Sequence, residues 1–222
     1  MALRRLTASF CNSRTSSRRC SSTAPITMAR ATEVKSKEFY EEASRHRNYF
    51  YVIDLKGQLF LEDMIHRNFT TCSKDPKFLS FFFKQLRAND AKIEPASFRV
   101  GGKERSIVAP YSYLSTCGAE INFVAHEDPY SALGFVGLEE RGSCADLIYP
   151  GHVAKEQLNP AELLFNSESG RLYHVISAMP NLIGRLGLLH PSLCLRLADL
   201  ITCENGQYFF KWQGRLHVLR SM

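Results

Sequence analysis

From residue 49 onward the chain reads as short apolar runs broken by turn residues. Tyr49-Phe50-Tyr51-Val52-Ile53 is one run and Leu59-Phe60-Leu61 the next. Between them, Asp54-Leu55-Lys56-Gly57 supplies a side-chain acceptor and a residue that tolerates positive φ, which predicts a β-hairpin. Asp75-Pro76 predicts a helix start: the carboxylate caps free N–H groups and proline suits the first turn. Phe78, Leu79, Phe82, Phe83 and Leu86 follow at helical spacing and give that helix one wide apolar face. Residues 90–105, with Pro95, Gly101 and Gly102, read as a loop. Four runs then suggest strands at Ile107–Thr116, Glu120–His126, Ala132–Leu138 and Cys144–Tyr149. The short turns between them predict an antiparallel meander. Asn159-Pro160-Ala161-Glu162 has the spacing of a capping box and predicts a second helix start. Gly170–His174 returns as a strand, and Pro191 opens a helix expected over 191–203 with Leu193, Leu197, Leu200 and Ile201 as its buried stripe. Tyr208–Trp212 and Arg215–Val218 close the chain as a hairpin around Gln213-Gly214. Strands and helices are segregated, not strictly alternating. The expectation is an α+β fold with a largely antiparallel sheet and two main helices over residues 48–222. A division into two small subdomains near 90–105 is left open. Residues 33–47 carry many charges, could form a short helix, and read as a connector with little apolar face.

Charge changes the picture at the N-terminus. Of the 28 Lys and Arg, six arginines (Arg4, Arg5, Arg14, Arg18, Arg19 and Arg30) lie in residues 1–32, which contain no acid. The remaining 22 basic residues face 22 acidic ones. The formal charge of +6 therefore belongs to the leader, and the rest of the chain is neutral. This weakens any nucleic-acid reading, even with Arg141, Arg171, Arg185, Arg196 and Arg215 interleaved with Tyr111, Tyr113 and Trp212. The leader is rich in Arg and Ser and lacks the apolar core of a secretory signal, which is the composition of a mitochondrial transit peptide. Arg18-Arg19-Cys20-Ser21 fits a processing site, and the matrix is the expected destination. A plastid is the alternative address. No apolar run is long enough for a spanning helix. The five cysteines after the leader (Cys72, Cys117, Cys144, Cys194 and Cys203) are odd in number and widely spaced. They suggest neither a disulfide framework nor a zinc ribbon, and read as small buried hydrophobes.

Candidate chemistry is sparse. Phosphate-loop, dinucleotide-binding, nucleophile-elbow and zinc-protease motifs are absent from the sequence. The most polar stretch is His126-Glu127-Asp128, preceded by Glu120 and Asn122. Strand alternation puts Glu120, Asn122, Val124 and His126 on one face, where they could hold a polar ligand. The plain alternative is a solvated strand face ending in an Asp-Pro turn. His174 is a further candidate, on the opposite sheet face from Tyr173. No cofactor and no metal set follow from these residues.

Several stretches resemble a known family: Tyr49–Asp54 with Gly57-Gln58-Leu59-Phe60-Leu61, Lys74–Leu79 with Phe82-Phe83, Ser115–Phe123 running into Glu127-Asp128-Pro129, Gly170–His174, and Trp212-Gln213-Gly214. Together they are similar to uncharacterised protein family 0598, also called domain of unknown function 4505. The layout is more loosely similar to the bacterial domain of unknown function 1285. The resemblance implies an α+β fold of two small subdomains and supplies no catalytic residues. The expected function is a binding or assembly module for a mitochondrial protein partner. The alternative is a hydrolase or metal-dependent enzyme built on Glu120, Asn122, His126, Asp128 and His174.

Overall fold

A computed structural model describes residues 34–92, 98–100, 103–105 and 111–222, with 98–100 and 103–105 as backbone only. Residues 1–33, on which the expected transit peptide and processing site fall, lie outside the described residues, as do Gly101-Gly102 and Ile107–Pro110.

Helix α1 (Lys37–Arg45) begins where the Ser36 side chain accepts from the Phe39 N–H. Glu38 in the first turn and Arg45 in the last suit the helix dipole. Phe39 and Ala43, four residues apart, share its inner face and are buried, so this charged segment packs as part of the core. Strands β1 (Asn48–Ile53) and β2 (Leu59–Leu61) form the expected hairpin. Asp54 Oδ1 accepts from the N–H groups of Lys56 (2.9 Å) and Gln58 (2.7 Å), closing the turn. Helix α2 (Pro76–Lys84) is capped by Asp75, whose carboxylate accepts from Lys77 and Phe78. Phe82 and Phe83 are buried, while Phe81 is exposed. Strand β3 (Leu86–Ala88) follows. The stretch read as loop contains two short paired strands, β4 (Phe98–Val100) and β5 (Lys103–Arg105).

Strands β6 (Tyr113–Cys117) and β7 (Glu120–His126) pair antiparallel, as expected. The meander stops there. β7 runs parallel to β1, which gives a five-stranded sheet in the order β2-β1-β7-β6-β3. The next strand, β8 (Leu133–Phe135), leaves for another sheet. β9 (Gly137–Arg141), β10 (Cys144–Ile148) and β11 (Lys155–Gln157) form a small antiparallel sheet of their own. The predicted helix start at Asn159 is a 3-10 turn of three residues, Pro160–Glu162. Asn159 does cap it, but Leu163–Asn166 continues as strand β12, because Leu163 enters the core and its neighbours pair with β13 (Arg171–Val175). β13 also pairs with β14 (Leu186–Leu189), and β14 runs parallel to β8.

Helix α3 (Pro191–Ala198) is shorter than expected. Ile201 belongs to β15 (Ile201–Glu204), which pairs with β16 (Gln207–Trp212). β16 pairs in turn with β17 (Arg215–Val218), and β18 (Arg220–Ser221) adds parallel to β12. The fold is α+β, with three helices among the described residues where the sequence suggested two main ones, and the sheets described there are mostly antiparallel with three parallel pairings.

The first sheet is covered on both faces. Phe50, Val52, Tyr111, Leu114, Phe123 and Ala125 pack with Phe39 and Ala43 of α1. The opposite face, with Ile53, Tyr113 and Val124, meets Phe82 and Phe83 of α2 and continues into a larger core that includes Phe135, Tyr149 and Leu172. Burying each such large side chain contributes about 1.5–3 kcal/mol. No helix among the described residues is long and apolar enough to cross a membrane. The cysteines correct the expectation of burial: Cys117, Cys144 and Cys203 are exposed, and Cys72 and Cys194 are half-buried.

Candidate functional site

The six polar residues singled out in the sequence do not converge on one site, although His126 contacts Asp128. Alternation along β7 holds, but its polar face is covered by α2 and is not solvated: Val124 is fully buried and Asn122 nearly so. His126 is half-buried, sits edge-on to Tyr113 at 5.3 Å, and its Nδ1 donates to the Asp128 carbonyl. Burial pushes its pKa down, against the pull of that carbonyl and the Asp128 charge. Glu120 stands at the far end of the strand, about 20 Å away at roughly 3.3 Å per residue. Glu127 is exposed and lies 3.9 Å from Arg67.

Asp128 works as a tie between sheets. Its Oδ1 accepts from the N–H groups of Tyr130 (2.9 Å) and Ser131 (3.0 Å), and its Oδ2 accepts from Arg171 (3.1 Å) and the Tyr173 hydroxyl (2.8 Å). It turns the chain out of β7 and anchors it to β13, which is why the expected meander ends there. His174 lies on the opposite face of β13 from Tyr173 and Asp128. The Asn159 N–H donates to its Nε2 (3.0 Å), and its Nδ1 donates to the Val175 carbonyl (2.7 Å), which fixes a neutral tautomer. Burial holds its pKa below the usual histidine value. Among the described residues, no three His, Cys, Asp or Glu side chains are grouped so as to hold a metal.

His174 leads to an open polar cleft. It secures the wall Leu158-Asn159-Pro160 of a cleft of about 640 Å³. The opposite wall is the closing hairpin. Gln213 (φ 50) and Gly214 (φ 75) form a two-residue turn whose twist suits the flanking strands. Trp212 faces Arg215 and Phe210 faces His217 across the ladder, so all four side chains share one side of the sheet. Trp212 is stacked on Phe210 at 5.5 Å with rings 13° apart. Ser143, from the turn before β10, Cys144, its first residue, and Glu162 complete the rim.

Glu156 forms part of the floor and is 3 % exposed. It accepts from the Tyr149 hydroxyl (2.5 Å), the N–H groups of Ser177 and Ala178 (2.8 Å each), and the Ser177 hydroxyl. Burial alone would raise its pKa, but the bonds from Ser177, Tyr149 and the two N–H groups together hold it below the ordinary glutamate range. The same burial, with the adjoining carboxylate, pushes the Tyr149 phenol up.

A family model described as Domain of unknown function (DUF4505) matches residues 40–222. The chain belongs to the DUF4505 family. Among solved structures it is similar to the crystal structure of a DUF1285 family protein from Silicibacter pomeroyi DSS-3, with 16 % identity, a TM-score of 0.43, and coverage of 90 % of this chain and 96 % of that chain. The stretch that matches the DUF4505 model takes in the whole cleft.

Sequence reasoning placed His174 among the candidates of this DUF4505 chain but missed Glu156, Tyr149 and Ser177, which sit beneath the cleft. The one visible signal was the Trp212-Gln213-Gly214 turn, legible as a hairpin but not as a wall. The five arginines weighed for RNA also separate here. Arg141, Arg171, Arg185 and Arg196 each pair with a carboxylate, whereas Arg215 makes no ion pair among the described residues. The cleft thus offers an indole face, a guanidinium, an imidazole and surrounding hydrogen-bonding groups. That set can hold an extended polar chain and pair one carboxylate.

Proposed function

We propose that this DUF4505 protein is a mitochondrial binding module that holds an extended, acid-bearing segment of a protein partner in the cleft between the closing hairpin and Asn159–Glu162. The observation that carries the reading is Arg215, a cleft-lining cation without a carboxylate partner among the described residues, beside the Trp212 ring. A guanidinium next to a planar aromatic wall recognises a carboxylate on an extended chain, and the polar rim satisfies that chain's main-chain groups. His174 and Glu156 position the walls and do no chemistry in this reading. The acid-free, Arg- and Ser-rich leader supports the mitochondrial address.

The test is photo-crosslinking in isolated mitochondria. The full chain, carrying a photoreactive residue at Gln213, is imported and irradiated. The expected result is a shortened, protease-protected protein that gives one discrete adduct, lost in R215E and absent when the photoreactive residue is at exposed Glu168. An adduct that survives R215E, or none at Gln213, would overturn the cleft assignment. Full-length protein left outside the organelle would overturn the address.

A further inference from the structure

A second cleft of about 340 Å³ lies on another side of the molecule, between the Asp54–Gly57 turn, the start of α2, and Pro150–His152. Its walls are set by close backbone contact. Gly151 has φ 65, and a Cβ there would lie 2.6 Å from the Ser80 nitrogen and 2.8 Å from the Leu79 carbonyl carbon. Only glycine lets this loop rest on the helix backbone. On the other side, the Ser73 N–H donates to the Leu59 carbonyl (2.8 Å) and ties the Asn68–Ser73 loop to β2. That loop holds Phe69 outward, 69 % exposed, with the Lys74 ammonium 4.2 Å from the centre of its ring. Val136, another lining residue, is 38 % exposed.

The lining is mostly apolar, and its ionisable nitrogen groups are Lys56, Lys74, His152 and His190. No carboxylate lines it. The nearest acids by sequence are Asp54 and Asp75, which are engaged with backbone N–H groups as turn and helix caps. Lys56 and Lys74 make no ion pair among the described residues. Apolar surface flanked by cations and free of carboxylates is complementary to an anion that carries an apolar body. The volume sits at the small end of ligand pockets, which run from about 300 to 1,000 Å³.

We propose that this cleft binds a small amphiphilic anion, with its compact apolar body against Phe69, Leu79, Phe83 and Val136 and its head group against Lys56 and Lys74. A carboxylate or a phosphate monoester supplies the same head chemistry. The site is separate from the Trp212 cleft and does not depend on the reading given for it.

The test uses the full chain with labelled Val and Leu methyls, titrated with octanoate, octyl phosphate and 1-octanol. The expected result is saturable shifts of the Val136 and Leu79 methyls, with at least one anion binding tenfold or more tighter than the alcohol. Preference for octanoate over octyl phosphate, or the reverse, identifies the head group. K56E/K74E should abolish the preference for the anion. F69A, at an exposed position, should weaken all three ligands while the methyl spectrum elsewhere stays unchanged. Equal affinity for the alcohol, shifts that spare Val136 and Leu79, or an anion preference that survives K56E/K74E would each overturn the proposal.

Discussion

Two buried glutamates solve one problem in different ways. Glu62 is fully buried and Glu156 is 3 % exposed, and an ionised carboxylate in either place is costly unless it is satisfied. Glu62 meets a cation: Lys35 Nζ lies 2.8 Å away, with the Tyr40 hydroxyl at 3.0 Å and the Tyr111 hydroxyl at 2.8 Å. Lys35 also donates to the Tyr111 oxygen (2.7 Å) and sits over the Phe39, Phe50 and Tyr111 rings at 5.2–5.7 Å. Glu156 has no cation and relies on two hydroxyls and two N–H groups. The first arrangement concentrates the stabilisation in one lysine ahead of α1. The second spreads it over the residue after β10, β11 and the chain after β13, and it keeps a competing positive charge out of the cleft floor. On the proposed reading, this leaves Arg215 on the facing wall to meet the partner's carboxylate.

The contrast breaks hardest at Lys35. K35M leaves a buried carboxylate without its counter-charge, and the expected loss is about 3 kcal/mol in denaturant unfolding. K35M/E62L removes both charges and should recover most of it, since an apolar pair of similar volume can replace an ion pair at little cost. A loss under about 1 kcal/mol for K35M would mean that the two tyrosines alone satisfy Glu62.

E156Q should cost about 2 kcal/mol at neutral pH, because the amide turns an NH2 donor toward groups that are themselves donors and forfeits bonds made to a charge. The acid limb gives the sign. Glu156 has a depressed pKa in the fold, so its contribution is complete above the unfolded value of about 4.3 and is lost as pH falls through the lower, folded value. The gap between wild type and E156Q should therefore close below about pH 4. A gap that stays constant to pH 3 would show that the carboxylate charge contributes nothing there. Y149F removes one of four donors, and about 1 kcal/mol is expected by the same measurement. A loss as large as that of E156Q would mean that Tyr149 dominates and that the load is not shared.

Local chemistry made much of the fold legible. Asp54 and Gly57 announced the first hairpin, Asp75-Pro76 the helix α2, and Gln213-Gly214 the closing hairpin, because each turn or cap is decided by neighbours in sequence. Long-range pairing was not legible. β1 lies beside β7 across some seventy residues, and nothing in Tyr49–Ile53 names its partner. Asn159-Pro160 misled because a cap and a proline serve a 3-10 turn as well as a helix. What followed was decided by Leu163 entering the core. Phe39 and Ala43 were hidden among charges, since two apolar residues per helix make a weak stripe. The buried network failed to show for the same reason as the strand pairing: Lys35, Glu62 and Tyr111 meet across separations of 27, 49 and 76 residues. His174 was found as a residue but not for its role, because Asn159 and Glu156 reach it only in the folded chain.

His174 sharpens the comparison from the cleft side with the smallest effect. It is held neutral by burial, so its folded pKa lies below the usual histidine value near 6.5. The unfolded chain takes up a proton first as pH falls. Stability is therefore full above about pH 6.5 and declines below it, by at most about 1.4 kcal/mol per pH unit, until the folded pKa is reached. Asparagine can both accept from Asn159 and donate toward Val175 while carrying no titration. The Tm difference between wild type and H174N should thus shrink between pH 7.5 and pH 5. His126, also depressed by burial, leaves a residual slope in the variant. The Glu156 charge favours protonated His174, so in E156Q the decline should extend to lower pH than in wild type. An unshifted decline would show that the two groups, one in the cleft floor and one behind its wall, do not sense each other. The absence of a cation at Glu156 would then concern the ligand side of the cleft alone.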